Sequence, residues 1–329
     1  MENSTHKVEI VPVSLRQHDN ADSLSVVDIF GYTAIVRTAD WQGISLGAYL
    51  PPDSVVDVTR PEFTFLGGGT KTHARIKAKR LRGVQSFGLL IPAPVGSQIG
   101  DDVAELLGVT HYEPELSSAC SGGEAEAAPS HLSHLPKFDV DALRRYHHLF
   151  LSGEEVLVTE KIHGANARYC YLDGRMWCGS RTEWKREDEK NMWWRALRAT
   201  PMLRAWCESN PGYVVYGEVY GDVQSFKYGM SGGRCQFAAF DLRLPSGRWA
   251  NAMDARAELG VGFVPQVPVL YQGPFDFDAI CRLAEGPSHM SGANHIREGC
   301  VVKPLQERWD EHIGRVCLKV VGAGYLEKE

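Results

Sequence analysis

The sequence predicts an α+β protein in two folded parts, a small closed β-barrel followed by a domain built on antiparallel strands. Three observations carry this reading. Residues from Lys7 to about Pro94 break into short β-rich runs punctuated by turn residues. From Tyr112 to Phe138 the composition shifts to Ser, Gly, Ala, Glu and Pro and loses β-branched residues, which marks a linker. Beyond it, apolar strand-like runs recur, each interrupted or closed by one or two charged residues. The predicted divisions are 1–111, 112–138 and 139–329.

In the first part, "SVVDIFGYTAIVR" (Ser25 to Arg37) has the pattern of a hairpin, "SLGAYLPPDSVVDV" (Ser45 to Val58) of a strand pair, and "SFGLLIPAP" (Ser86 to Pro94) of a closing strand. "FLGGGTK" (Phe65 to Lys71) lacks the spacing of a phosphate-binding loop and precedes a strand, so a flexible loop is expected. The run Lys71 to Gly83 holds six cations (Lys71, Arg75, Lys77, Lys79, Arg80 and Arg82) and no acid, in a chain of net charge −6. Two readings stand: a solvated face, or a strand that tracks nucleic-acid phosphates.

In the second part, a helix is predicted in "DVDALRRYHHLFL" and another in "EDEKNMWWRALRATPMLRAWCES", where Trp193, Trp194 and Leu197 fall at helical spacing and belong to a core. "VLVTEK" (Val156 to Lys161), a turn "IHGAN" and "ARYCYL" predict a hairpin with Lys161 at its mouth. Four more strands follow, "GYVVYGEVYG", "RCQFAAFDLR", "EGCVVKP" and "RVCLKVV". They carry Glu218, Asp241, Glu298, Lys303 and Lys319 among apolar neighbours. Charges in such places must pair with each other or meet a charged ligand.

Eight cysteines without a C-x-x-C pair suggest reduced, mostly buried thiols, not a zinc cluster or a disulfide framework. No run approaches the ~18 to 20 apolar residues of a membrane span, and "MENSTHKVEI" lacks the apolar core of a signal peptide. The expectation is a cytoplasmic, monomeric protein with no membrane partner.

In order, the elements are Lys161-Ile-His-Gly164, Ser180-Arg181, Tyr216-Gly-Glu218, Phe240-Asp241, Glu298-Gly-x-Val-Val-Lys303 and Lys319. Together they resemble the covalent nucleotidyltransferase superfamily of polynucleotide ligases and capping enzymes, over about residues 150 to 321. His163 at the third position of the first element is similar to nick-sealing and editing RNA ligases. "HDNADSLSV" (His18 to Val26) resembles the entry of tRNA-binding OB domains, with Asp19 where proline is usual. The order of parts is similar to ATP-dependent RNA ligases with an N-terminal OB domain, because the ten residues after Lys319 leave no room for an OB domain there. The fold this implies is α+β, an N-terminal OB-type β-barrel followed by an antiparallel-sheet nucleotidyltransferase (ATP-grasp-like ligase) domain.

The resemblance implies ATP as substrate, Mg²⁺ or Mn²⁺ as cofactor, and RNA or an RNA-containing nicked duplex as partner. Lys161 would attack the α-phosphate, AMP would pass from the lysine to an RNA 5′-phosphate, and a 3′-OH would then displace AMP. An attacking lysine must be neutral, which desolvation and the like charge of Lys319 favour. Glu218 and Glu298 would hold the metal, in part through water. Phe240 and Val301 would sandwich adenine, Thr159 and Glu160 would meet its edge, His163 and Asn166 would face ribose and phosphate, and Arg181 and Lys303 would contact phosphates. Where many RNA ligases have Lys-x-Lys, Cys317 replaces the first lysine, one charge fewer unless Arg315 reaches in. The alternatives are a DNA ligase, a capping-type nucleotidyltransferase, or a non-catalytic RNA-binding protein.

Overall fold

A computed structural model describes residues 6–67, 70–113, 115–116, 120–136 and 138–328. The chain divides into two compact units, Met1–Glu113 with Ala323–Glu329, and Pro114–Gly322. That the C-terminal helix Ala323–Lys328 groups with the first unit, with Glu327 3.9 Å from Arg80, is not legible in chain order.

The first unit is strand-rich, but among the described residues it is not closed into the expected barrel. It contains four small sheets: Glu9–Pro12 with Leu46–Leu50 and Leu89–Pro92; Arg16–His18 with Ala21–Ile29 and Tyr32–Arg37; Thr110–His111 with Ser54–Asp57 and His73–Arg75; and Lys79–Leu81 with Val84–Ser86. Closure needs an unbroken ladder, and several features interrupt it. Pro12 and Pro92 end their strands without an N–H to donate. Where Tyr32–Arg37 meets Val84–Ser86, side chains take over from ladder bonds: Ile35 N–H donates to Ser86 Oγ at 3.0 Å and Thr33 Oγ1 donates to Gln85 O at 2.5 Å. Two apolar clusters still fill the interior, one around Ile10, Leu50 and Phe63 and one around Val27, Trp41 and Tyr49. The loop expected over Phe65 to Lys71 lies partly outside the described residues.

The second unit packs two sheets. One has six strands in the order Ala125–Glu126, Trp184–Lys185, Arg175–Gly179, Ala165–Leu172, Val214–Gly221 and Cys235–Arg243. The other has five, Asp141–Ala142, Leu318–Val321, Gly299–Pro304, Glu155–Lys161 and Val269–Pro274. The second predicted helix is two, Met192–Ala199 and Pro201–Ser209. Asn191 Oδ1 caps the first by accepting from Trp193 N–H at 2.9 Å, and Pro201 opens the second, where its missing N–H is harmless. Trp193, Trp194 and Leu197 are buried in the core behind the six-stranded sheet. The first predicted helix shrinks to Leu143–Tyr146 and a 3₁₀ turn, His147–Leu149.

Two expectations are corrected. The segment 112–138, in its described part, is no free linker: Ala125–Glu126 joins the six-stranded sheet, and Leu132, Leu135 and Phe138 pack against Trp177, Trp184 and Tyr216. Average composition hid three apolar anchors among polar residues. Nor do Val156 to Lys161 and Ala167 to Leu172 form a hairpin, since they lie in different sheets. The chain crosses between the sheets at residues 162–164. Gly164 is required there by close approach, because a Cβ at that position would lie 2.2 Å from Val219 O.

Candidate active site

That crossing leaves Lys161 at the end of a strand facing the opposite sheet. In an antiparallel ladder, residues directly opposite share a face, and side chains alternate along each strand. The register Thr159↔Val301↔Lys319 and Leu157↔Lys303 therefore gathers Thr159, Lys161, Val301, Lys303 and Lys319 on one face. Val158, Val302 and Leu318 turn to the apolar cluster on the other. Across the cleft, Asn166 is opposite Glu218 and Arg168 opposite Tyr216.

Charges converge at Lys161. Its ammonium makes a short hydrogen bond to Glu298 Oε1, and His163 Nδ1 lies 3.8 Å from Glu298 Oε2. His163 is buried and fixed twice more, its N–H donating to Tyr228 Oη at 2.8 Å and its Nε2 pairing with Ser225 Oγ at 2.9 Å. Burial pushes the Glu298 carboxyl upward, but Lys161 and His163 outweigh it and hold it at about 2. Glu218 differs: burial pushes it up to about 8, Lys161 pulls against that, and Glu298 pushes the same way. Burial and then the like charge of Lys161 lower Lys319, which favours its neutral form.

The remaining predicted residues divide into two groups. Asn166 is in the cleft, and its Oδ1 is buried with no hydrogen-bond partner. Phe240 packs on Phe138 at 4.6 Å between ring centres. Glu160, 2% exposed, points away from Lys161 by strand alternation. Ser288 Oγ donates to it at 2.5 Å and His289 N–H at 2.7 Å. Lys303, on the cleft face by register, is engaged by Asp241 Oδ2 and Phe240 O, donating to both at 2.7 Å. Arg315 does not compensate for Cys317: it binds Glu307 and donates to Asp241 Oδ2 at 2.6 Å. Arg181 is exposed and pairs with Asp139 at 2.9 Å. Sequence reasoning missed Ser225, Tyr228, Ser288 and His289, which lie in segments without strand or helix periodicity. Tyr228 also has a left-handed φ of 50°, which no sequence pattern records.

Of the six cations in the basic run, Arg75 is tied to Asp53 at 2.7 Å and stacked 3.6 Å from the Tyr112 ring centre. Lys71, Lys79, Arg80 and Arg82 are exposed and Lys77 is half-buried.

Glu218 makes a pH prediction. Because the fold favours its neutral form, the stability it contributes is full below the unfolded value of 4.5 and is lost as pH rises through about 8. Between pH 6 and pH 9, without divalent cations, the wild type should lose up to a few kcal/mol relative to Glu218→Gln, at about 1.4 kcal/mol per pKa unit. Thermal unfolding of both proteins at the two values checks this. An identical pH response would reject it.

A family model described as RNA ligase matches residues 154–321, and an OB-fold domain model matches residues 7–93. No curated protein matches. Among solved structures, the chain is similar to variants of the Naegleria gruberi RNA ligase. One, with ATP and Mn, has 24% identity, a TM-score of 0.81 and 98% of each chain covered. One with AMP and Mn has 24% identity, a TM-score of 0.80 and 98% of each chain covered. A variant without ligand has 24% identity, a TM-score of 0.82 and 99% of each chain covered. At this identity the likeness is one of fold along the whole chain.

Proposed function

Because the chain belongs to the RNA ligase family, we propose that it joins 3′-OH and 5′-phosphate ends at nicks in RNA-containing duplexes, with ATP as the adenylyl donor. The observation that carries this reading is the convergence of Lys161, Lys319, Glu218 and Glu298 between the two sheets. A phosphoryl-transfer site needs such a set, since catalysis there is positioning plus charge stabilisation.

Lys161 is the nucleophile. Its ammonium, which donates to Glu298, must lose a proton to solvent before its lone pair attacks the α-phosphorus of ATP, forming an N–P bond as the bond to pyrophosphate breaks and pyrophosphate leaves. The adenylyl group then passes to an RNA 5′-phosphate, freeing Lys161, and a 3′-OH attacks that phosphate and releases AMP. His163 steadies Glu298, and Lys319 is the cleft lysine left facing the phosphate, since Lys303 and Arg315 are committed to Asp241; a phosphate there would offset the burial and the like charge that weaken its ammonium form. Phe240 and Val301 line the base slot beside Thr159. Glu160 reaches a base only with the lone pairs that Ser288 and His289 leave open. The unpartnered Asn166 Oδ1 suits a ribose hydroxyl or a metal-bound water, and Arg181 an RNA phosphate.

Among the described residues no group of three or more His, Cys, Asp or Glu could hold a metal ion. Two carboxylates do face the cleft, one of them with its charged form disfavoured by burial. This donor set fits Mg²⁺ or Mn²⁺ held by Glu218 and Glu298, with water and phosphate completing the shell. Bound there, the cation would supply positive charge against the phosphate oxygens.

The decisive experiment is ligation of nicked duplexes with RNA or DNA on each side of the nick, with ATP and Mn²⁺. Sealing of an RNA 3′-OH is expected, and no sealing of any RNA-containing nick would overturn the proposal. The basic run extends the test. With the pre-adenylated protein, changing Lys77, Lys79 and Arg82 together to Ala should weaken duplex binding. It should also make the salt dependence shallower, by about 0.9 in log–log slope per lost contact on B-form duplex. An unchanged slope would leave the run as a solvated face.

A further inference from the structure

The strand Ala165–Leu172 carries two buried polar groups that the fold leaves unmatched. Asn166 Oδ1 has no hydrogen-bond partner, and neither has Arg168 Nε, two residues further along the same face. Arg168 is 4% exposed, yet among the described residues no carboxylate pairs with its guanidinium. Its neighbours are aromatic: the Trp184 ring at 4.5 Å, and Tyr216 directly opposite in the sheet. Burial weakens the charged form of Arg168, and the Tyr216 hydroxyl supports it. A buried charge without a partner is costly, and a cation resting on an indole recovers part of that cost.

Nothing nearby supplies the missing negative charge. Asp241, opposite Tyr216, is already bound to Lys303 and Arg315. Arg243 Nε is likewise buried without a hydrogen-bond partner, and after burial raises Tyr216, the charges of Arg168 and Arg243 pull it back down. Position ties Arg168 to the cleft on one side and to the Arg181 turn on the other. The row of Glu218 is two residues away, about 7 Å along the strand. Gly179 is the ladder partner of Arg168, and a Cβ there would lie 3.0 Å from Arg168 Nε and 2.9 Å from Trp184 Cε3, so glycine keeps the space above the guanidinium. The next residues, Ser180 to Glu183, form a turn closed by Ser180 Oγ, which accepts from Glu183 N–H at 3.1 Å, and Arg181 on that turn is exposed.

We propose that Arg168 binds a phosphate of the RNA strand, meeting from beneath the phosphate that Arg181 meets from the rim, an inference that rests on the ligase reading above. An arginine offers parallel N–H donors to phosphate oxygens, and the unmatched Nε–H of Arg168 is one of them. A phosphate would bring the counter-charge that the fold withholds. A guanidinium suits this place better than an ammonium, because it is weakly hydrated and stays protonated when buried. The Asp139 carboxylate, 2.9 Å from Arg181, shows that an anion fits at this rim.

The test uses the full-length protein and a nicked duplex with an RNA 3′-OH strand. Arg168→Met keeps apolar bulk and removes the unpaired charge, so it should fold and melt no lower than the wild type. With ATP absent, so that only RNA phosphates contribute, its affinity for the duplex should fall about 10-fold or more. The slope of log K against log salt should become shallower by about 0.9, the value for one contact on B-form duplex. Arg168→Lys, a point charge without the fork, should restore the slope and part of the affinity. Failure of Arg168→Met to fold, or a marked drop in its melting temperature, would assign the guanidinium to the fold through Trp184 and overturn the proposal. Unchanged duplex affinity and slope would overturn it as well, and a raised KM for ATP in that case would give the phosphate to ATP. Failure of the wild type to seal any nick would instead overturn the ligase reading, so the two failures are distinguishable.

Discussion

Lys161→Ala should abolish the covalent AMP adduct, measured as the rise of one AMP in intact mass after incubation with ATP and Mn²⁺. The effect should be complete. Among the lysines of the cleft face, Lys161 alone is hydrogen-bonded to Glu298, and Lys303 is held by Asp241. Removing Lys161 also strips Glu298 of its ammonium partner and leaves it His163, and weakening the pairing of a buried carboxylate destabilises a fold. Lys161→Arg separates the two effects. It keeps a positive partner for Glu298 but offers a guanidinium, which stays protonated and cannot attack phosphorus. Native-like melting of the Arg variant with no adduct is the expected pair of results. An adduct that persists in either variant would reject Lys161 as the nucleophile.

Glu218→Gln and Glu298→Gln should each slow nick sealing by about 100-fold or more, since metal charge stabilisation is worth several kcal/mol and each ~1.4 kcal/mol is tenfold in rate. The two should differ in stability. Glu218 favours its neutral form, so Gln replaces it at little cost near neutral pH. Glu298 is ionised and bound to Lys161 and His163, so Gln leaves Lys161 without its counter-charge and His163 without its carboxylate partner. Glu298→Gln should therefore melt lower than Glu218→Gln at pH 7. Raising the Mn²⁺ concentration should stabilise the wild type and neither variant to the same extent. Near-wild-type sealing by both would remove the carboxylates from the reaction.

The strands, the order of the charged residues along them and the family resemblance those residues carry are all legible in the sequence. Those features are local: β-branched runs, alternation and short spacings such as Lys161 to Gly164 do not depend on what packs against them. Which charges meet is set by folding. Lys303 and Lys319 read alike in sequence and share a face, yet the approach of Asp241 draws one into a buried ion network and leaves the other beside Lys161. The apparent hairpin at Lys161 became a crossing between sheets because strand pairing is set by partners far along the chain, here Gly299–Pro304 and Val214–Gly221. Ser288 and His289 hold Glu160 across more than a hundred residues, and no periodicity records a contact of that range. The N-terminal strands were legible one by one, but closure into a barrel depends on ladder continuity between sheets, which prolines and side-chain hydroxyls interrupt.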